Sequence, residues 1–291
     1  MPRMMPKKSA SEEKVVITMD LQSVLIAPKI EASSAYYKMI LQIHNFTIYR
    51  LNDTAVNLYV WHEGNGGVTC NEFISCIIDY ISKCCEQHKF THFVLISDSC
   101  GYQNRNKVLS SALAQLAAEK KVATEQLYLD TGHTMMEADS VQATLDQLFK
   151  TTEIYAPSDY LVHMRQARPG HRYNVTSVDF NFFGDYEHQS GNLASIRPGK
   201  KVGDPQVTDL RGLLYLPSGQ IQYTLRHTDQ WKNLPVRNAL GNRRSPRKLY
   251  KKPLKINADK YKHLQALKEC IEQPWHCSTK PIVQLQNGFR F

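Results

Sequence analysis

The sequence predicts a mixed α/β fold in which three antiparallel strands precede parallel strand–helix units. Two apolar runs, residues 15–19 and 93–97, are each followed by an aspartate, a pattern typical of a buried strand that stops at a sheet edge. Between them, residues 36–48 and 55–61 alternate in polarity or are rich in β-branched and aromatic side chains, as strands are. From residue 69 onward, helical and strand patterns alternate, which indicates parallel crossovers.

The helices of this first region are predicted from spacing and caps. Thr69 and Glu72 form a capping box at the start of the first one. Helices are predicted over residues 69–85, 107–120 and 137–150, with a strand at residues 126–130. Three strands followed by helix, strand, helix, strand and helix is the element order of the RNase H-like fold. We therefore predict an RNase H-like mixed five-stranded sheet over residues 14–150.

Residues 151–291 differ from the first region in their sequence pattern, because they contain scattered prolines and short apolar segments. A hairpin is predicted between Leu213 and Leu225, and a helix capped by Asn257 over residues 258–272. We expect this part to be a C-terminal β/α extension packed on the first domain. Residues 1–13 are expected to be a disordered leader.

The positive charge of the chain is concentrated in one place. The formal net charge is +9, and ten of the 36 basic residues but one of the 27 acids lie between Arg237 and Lys262. The remaining 26 basic and 26 acidic residues balance. Such a block can neutralise phosphates and gain affinity from counterion release. A solvated basic loop or a nuclear localisation signal is the alternative interpretation.

Cysteine usage and hydropathy indicate in which cellular compartment the protein is expected. Seven cysteines, an odd number, favour reduced thiols over a disulfide framework. No apolar run reaches the roughly 20 residues that span a bilayer, so no membrane partner is expected. Together with the basic block, these features predict a nuclear protein.

Asp20 and Asp98 are the candidate catalytic residues with the clearest placement. They close the first and fourth strands of the predicted sheet, which lie side by side in an RNase H-like fold. Two adjacent carboxylates repel each other, and a divalent cation removes that cost. Oxygen ligands suit Mg²⁺ or Mn²⁺, and two such ions support phosphodiester cleavage. Alone, either aspartate would be an ordinary loop-capping residue.

The identity of a third acid is left open by the residues themselves. If the helix begins at Glu137, that side chain lies near the buried face, whereas Asp139 points away from it. If Asp139 is instead the N-cap residue, its side chain faces the mouth of the helix. The helical pattern alone favours Glu137.

Four segments resemble a transposon-derived family of animal proteins with a DDE-type, RNase H-like nuclease core. They are MDLQ (19–22), SDSCGYQNRN (97–106), GHTMMEADS (132–140) and the tail KPLKINADKYKHLQALKECIEQPWH (252–276). The similarity covers roughly residues 14–276, and SDSCGYQNRN carries the most specific match. It implies Asp139 as the third acid, with Glu137 as the substitute. This chain departs from the family at Tyr102, where glycine is usual and where the larger side chain is expected to crowd the loop beside Asp98. It also lacks the Cys-rich region that usually precedes the core.

The leading hypothesis is a metal-dependent DNA-processing enzyme of transposase or integrase type, with Asp20, Asp98 and Asp139 as metal ligands. Transposases often act as assemblies, which leaves a homo-oligomer open. A domesticated, silent DNA-binding protein is the non-enzymatic alternative, and an RNase H-like exonuclease or RNA hydrolase is the third. The candidate nucleic-acid contacts are polar or basic residues of these segments: Gln103, Asn104, Arg105, His133, Arg243, Arg244, Arg247, Lys248, Lys251 and Lys252.

Overall fold

The fold was examined in a computed structural model, which describes most of the chain. The described residues are 14–30, 38–87, 90–130, 135–189, 191–235, 237–238 and 245–272. The predicted leader at residues 1–13 lies outside them, as do three candidate nucleic-acid contacts, His133, Arg243 and Arg244.

The first strands follow the expected pattern. They are β1 (Lys14–Leu21), β2 (Leu25–Ala27), β3 (Leu41–Arg50) and β4 (Val56–His62). In β1, alternation places Val15, Ile17 and Met19 on one face, where all three are buried. Because β3 begins at Leu41, the strand predicted over residues 36–48 is displaced toward the C-terminus.

The parallel units are confirmed. They comprise α1 (Cys70–Gln87), β5 (His92–Ser97), α2 (Lys107–Lys120), β6 (Ala123–Tyr128) and α3 (Glu137–Lys150). The predicted capping contact is present, because the carboxylate of Glu72 accepts the N–H of Thr69 at 2.8 Å. Asn106 caps α2, where Oδ1 accepts the N–H groups of Val108 and Leu109.

The central part of the sheet has the strand order β4-β3-β1-β5-β6. β3 is antiparallel to both β1 and β4, whereas β1, β5 and β6 are mutually parallel. The carboxyl ends of β1, β4, β5 and β6 therefore meet at the same edge of the sheet. We call this edge the carboxyl edge.

The sheet contains more strands than the five that were predicted. Ten strands form the sheet in the described residues, because the extension adds strands at both sides. The extension contains α4 (Pro157–Gln166), β7 (Asn174–Ser177), β8 (Gly184–Asp185), β9 (Leu193–Ser195), β10 (Gly212–Tyr215), β11 (Ile221–Thr224), β12 (Lys232–Asn233), β13 (Arg237–Asn238), β14 (Arg247–Lys248) and α5 (Ala258–Glu272). β10 and β11 form the predicted hairpin, and β10 pairs with β6, while β7 pairs with β4. The extension thus continues the sheet of the first region.

Helices cover both faces of the sheet. One apolar cluster joins α1 and α2 to the sheet, with Phe73, Leu113 and Ile17 fully buried. The other lies under α3 and α4, where Leu145 of α3 packs with Ile43 of β3. This second helix layer carries the acidic start of α3 to the carboxyl edge.

Candidate functional site

Asp20, Asp98 and Asp139 come together at the carboxyl edge. Asp20 is near the end of β1, and Asp98 directly follows β5, the parallel neighbour of β1. Asp139 lies in the first turn of α3, which packs over β1. The charges of Asp139 and Asp98 both act on Asp20, so three carboxylates from distant parts of the chain share one region.

The electrostatics of Asp20 reflect this crowding. Burial, followed by the negative charges of Asp139 and Asp98, raises the pKa of the Asp20 carboxyl to about 6. A hydrogen bond from the backbone N–H of Leu21, and a weaker one from Gln142 Nε2 to Oδ2 at 3.4 Å, act in the opposite direction. In the described part of the chain, no Lys, Arg or His nitrogen forms an ion pair with any of the three aspartates. Among the described residues, Asp20 is therefore a carboxylate without a cationic side chain as partner.

Asp98 is held by the loop that it begins. Nδ2 of Asn104 donates to Oδ1 of Asp98 at 2.6 Å, and the N–H of Cys100 donates to the same oxygen at 3.2 Å. The loop is closed by the N–H groups of Asn104 and Arg105, which donate to the carbonyl of Cys100. The position of the Asp98 carboxylate is thus fixed by contacts within residues 98–105.

Asp139 is part of the start of α3. The helix is preceded by Met136, whose N–H donates to Oδ2 of Asp139 at 2.6 Å. The helix is docked on β1 by a second bond, in which the N–H of Ala138 donates to Oγ1 of Thr18 at 3.3 Å. The helix begins at Glu137, as the first interpretation assumed, and Met136 is the N-cap residue, so the alternative in which Asp139 is the N-cap was wrong.

Glu137 occupies a different place from Asp139. Its charge acts on Tyr49 of β3, where it is one of the causes that raise the pKa of the phenol after burial. It is not among the groups that act on Asp20. The charge of Asp139 thus acts on Asp20, whereas that of Glu137 acts on Tyr49.

The oxygen atoms of the three aspartates are the type of ligand that a divalent cation prefers. Oxygen ligands are those preferred by Mg²⁺ and Mn²⁺, and an uncompensated carboxylate such as Asp20 favours a bound cation. Among the described residues, however, no group of three or more His, Cys, Asp or Glu side chains is arranged to hold a metal ion. The three aspartates influence one another but do not enclose a common site in this arrangement.

A polar layer between the sheet and α3 was not predicted. Nε2 of Gln22 donates to Oδ1 of Asp146 at 2.7 Å, and Oε1 of Gln22 accepts from Asn45 Nδ2 at 2.8 Å. Asn45 and Gln22 are almost fully buried, and Asn45 Oδ1 has no partner within the described part of the chain. Polar residues at buried positions of strands are the signal that could have revealed this layer, because Gln22 continues the same face of β1 as Asp20.

Two predicted nucleic-acid contacts are turned inward. Asn104 is 5% exposed and supports Asp98 as described above. Arg105 is 7% exposed, lies over the ring of Tyr128 at 4.8 Å and donates from Nη1 to the carbonyl of Thr208. In this structure these two side chains therefore stabilise the loop and do not present donors to a phosphate. Gln103 is partly exposed beside them.

The described part of the basic block lies against one loop of the carboxyl edge. We call residues 245–256 the basic strap. β14 pairs with β8, the hydroxyl of Tyr250 donates to Glu72, and the N–H of Leu254 donates to the carbonyl of Gly64 at 2.8 Å. The strap thus follows the loop between β4 and α1. Its exposed cations are Arg247, Lys248, Lys251, Lys252 and Lys255.

The helix α5 continues the strap along the same side. Lys260 forms an ion pair with Glu63 at 2.7 Å, and Nδ1 of His263 accepts the N–H of Met39 at 3.0 Å. These contacts anchor the C-terminal part of the described chain to the loops that surround the acidic site.

Protein-family models, curated proteins and solved structures gave no match to this chain. The structure itself defines the class of protein. It is a mixed α/β protein with three aspartates and a basic strap at one sheet edge. Within the described residues, every helix is too short or too polar to cross a membrane.

Proposed function

We propose that this protein is a metal-dependent enzyme that cleaves phosphodiester bonds in DNA, with strand transfer of transposase or integrase type as its further step. The observation that carries the proposal is the convergence of Asp20, Asp98 and Asp139 at the carboxyl edge. A cluster of acids without a cationic partner is costly unless a cation or a proton compensates it.

The topology supports the proposal. In an RNase H-like sheet the first and fourth strands are neighbours, and here β1 and β5 are adjacent and parallel. β2 is a short addition that pairs only with β3 within the described sheet, so β5 is the fourth long strand. A fold by itself does not establish an activity, which is why the argument depends on the three side chains.

Asp20, Asp98 and Asp139 would hold Mg²⁺ or Mn²⁺. Such ions, when bound, lower the pKa of a coordinated water and stabilise charge on phosphate oxygens. The chain itself supplies the positions of the ligands. Asn104 and the N–H of Cys100 hold Oδ1 of Asp98, and the N–H of Met136 holds Oδ2 of Asp139.

Asp20 has the property that couples metal binding to pH. With a pKa of about 6, its carboxyl carries a proton in part of the molecules near neutral pH. A cation that binds there must displace this proton. Activity is therefore expected to rise between about pH 5 and 7.

The basic strap supplies the contact to the substrate backbone in this proposal. Five exposed cations lie on a segment whose Tyr250 reaches Glu72, at the start of α1 on the carboxyl edge. Phosphates bound along the strap would run past the acidic site, and such contacts orient a nucleic acid without reading its sequence.

A cleavage assay with matched variants tests the proposal. The full chain is incubated with labelled duplex DNA, single-stranded DNA and an RNA–DNA hybrid in Mn²⁺, beside Asp98→Asn and Asp229→Asn. Asp229 is an exposed aspartate of the extension and serves as the control. Cleavage by the wild type and by Asp229→Asn but not by Asp98→Asn is expected. Equal cleavage by all three proteins, or none by the wild type, contradicts the enzyme proposal.

A DNA-binding protein without catalytic activity is the second candidate. It is favoured by the finding that no metal-holding group exists among the described residues, while the cations of the strap are exposed. The same assay separates the two candidates: this one predicts salt-sensitive DNA binding by the wild type with no metal-dependent cleavage.

A further inference from the structure

Tyr102 is an exposed aromatic residue in the loop that holds Asp98. Its residue surface is 57% exposed, and its backbone carbonyl accepts a hydrogen bond from Nδ2 of Asn106 at 3.0 Å. Asn106 in turn caps α2, so the main chain at Tyr102 is tied to a helix. Tyr102 is not one of the described residues whose φ angle is positive. The tyrosine therefore fits the loop without a left-handed backbone conformation.

Tyr102 and the basic strap lie at the same edge of the sheet, because the Asp98 loop leads into α2, which packs against α1, and Tyr250 of the strap donates to Glu72 at the start of α1. Partial burial, followed by the charges of Cys70, Glu72 and Glu187, raises the pKa of the Tyr102 phenol. Burial and the hydrogen bond to Glu72 raise the pKa of Tyr250, and Tyr102 is among the further causes. Glu72 thus acts on both phenols, in agreement with a position of Tyr102 near the start of α1.

A single exposed aromatic side chain is common and alone requires no partner. Here two further observations accompany it. The backbone that presents the ring is fixed by Asn106, and exposed cations of the strap, Lys251 and Lys252, directly follow Tyr250 in the chain. An exposed aromatic ring and a row of exposed cations at one sheet edge match the alternation of base and phosphate in a nucleic acid strand.

We propose that Tyr102 is a stacking platform for an unpaired base, and that this surface binds single-stranded DNA whose phosphates lie on the basic strap. The inference deepens the proposed function, on which the choice of DNA rests, by naming the form of substrate that reaches Asp98. Stacking on a side chain requires a base with an open face, which a duplex does not offer without unstacking. The surface thus favours a single strand or an opened end over an intact duplex.

Binding measurements without cleavage test this inference. The full chain and its variants are titrated into a DNA strand of roughly 12 nucleotides that carries 2-aminopurine, in EDTA, and into the same strand annealed to its complement. The variants are Tyr102→Ala, Tyr102→Phe and, as a matched control, Tyr261→Ala on α5, where Tyr261 is 41% exposed. Thermal melting verifies that each variant is folded.

Tyr102→Ala is expected to weaken binding of the single strand about 5- to 150-fold and to abolish most of the 2-aminopurine fluorescence change. Tyr102→Phe and Tyr261→Ala are expected to bind as the wild type does. Unchanged single-strand affinity in Tyr102→Ala, or an equal loss for strand and duplex, overturns the inference. Tighter wild-type binding of the corresponding RNA strand than of the DNA strand overturns the assignment to DNA.

The outcome is distinguishable from that of the cleavage assay. If Tyr102→Ala loses single-strand binding while the wild type cleaves nothing in Mn²⁺, the stacking surface stands and the enzymatic proposal fails. If Asp98→Asn abolishes a real cleavage activity while Tyr102→Ala binds normally, the enzyme stands and the stacking surface fails.

Discussion

Nδ2 of Asn104 donates a hydrogen bond to Oδ1 of Asp98 across 2.6 Å, and Asn104 is itself buried. The asparagine therefore acts as a support for the aspartate at the carboxyl edge. Its own carbonyl accepts bonds from Gln126 and Tyr128 of β6, which ties the Asp98 loop to the next strand of the sheet.

Removing this support is expected to impair the site. Asn104→Ala leaves Oδ1 of Asp98 with the N–H of Cys100 as its remaining described donor. We expect a 10- to 100-fold loss in Mn²⁺ affinity or activity, the range for partners that orient metal ligands. The Mn²⁺ concentration that gives half-maximal cleavage is the measurement. Asn174→Ala, at an exposed asparagine, is the control, and an unaltered Mn²⁺ midpoint in Asn104→Ala would show that the bond has no role in the site.

The raised pKa of Asp20 predicts a dependence of stability on pH. The carboxyl titrates near 3.8 when unfolded and near 6 when folded, so the native state binds the proton more tightly. This contribution to stability is fully present below about pH 4 and is lost as the pH rises through about 6. Because asparagine does not ionise, Asp20→Asn is expected to be more stable than the wild type at pH 8 by at most about 3 kcal/mol.

Denaturant unfolding in EDTA at pH 4 and pH 8 measures this difference. The stabilisation by Asp20→Asn should vanish at pH 4. The control is Asp53→Asn, which should destabilise the protein at both pH values, because a hydrogen bond from Arg50 lowers the pKa of Asp53 below 3.8 and its charged form therefore still contributes stability at pH 4. A stability gain of Asp20→Asn that does not change with pH would mean that ionisation of Asp20 is not its cause.

Divalent metal should stabilise the folded protein through the three aspartates. At a concentration 100 times its dissociation constant, a ligand that binds only the native state adds about 2.7 kcal/mol. Mn²⁺ is therefore expected to raise the melting temperature of the wild type and of Asp229→Asn, and chelation should reverse the effect. Asp98→Asn should show a much smaller shift. Equal shifts in all three proteins would place any bound metal away from Asp98.

Neutralising the basic strap should reduce the salt dependence of DNA binding. The triple variant Lys251→Gln, Lys252→Gln and Lys255→Gln removes three exposed charges. If each contacts a phosphate, the slope of log affinity against log salt for duplex DNA becomes less negative by about 2.7.

The matched control neutralises three exposed lysines outside the strap, Lys150, Lys200 and Lys201. It should leave the slope nearly unchanged. An equal change in the two triple variants would indicate that the protein's overall charge, and not the strap, determines binding.

Much of the secondary structure could be predicted because it is encoded locally. The helices at residues 107–120 and 137–150 and the hairpin near Pro217 were recognisable from caps, spacing and turn residues, and the structure confirms them. The helix at Pro157–Gln166 was missed, because its ten residues show little helical periodicity between prolines and polar residues. The ten-stranded sheet was missed as well, since pairing between β10 and β6 joins segments far apart in the chain.

The sequence alone placed Asp20 and Asp98 at the ends of strands and concentrated the positive charge in one block, since both properties follow from local order. The tertiary structure decided what a local pattern cannot contain. Long-range hydrogen bonds and burial turned Asn104 and Arg105 inward and left Tyr102 exposed. The packing of α3 on β1 made Asp139, not Glu137, the acid whose charge acts on Asp20. The physical reason is that a loop side chain takes its direction from the distant strands and helices that it meets, and only folding determines those neighbours.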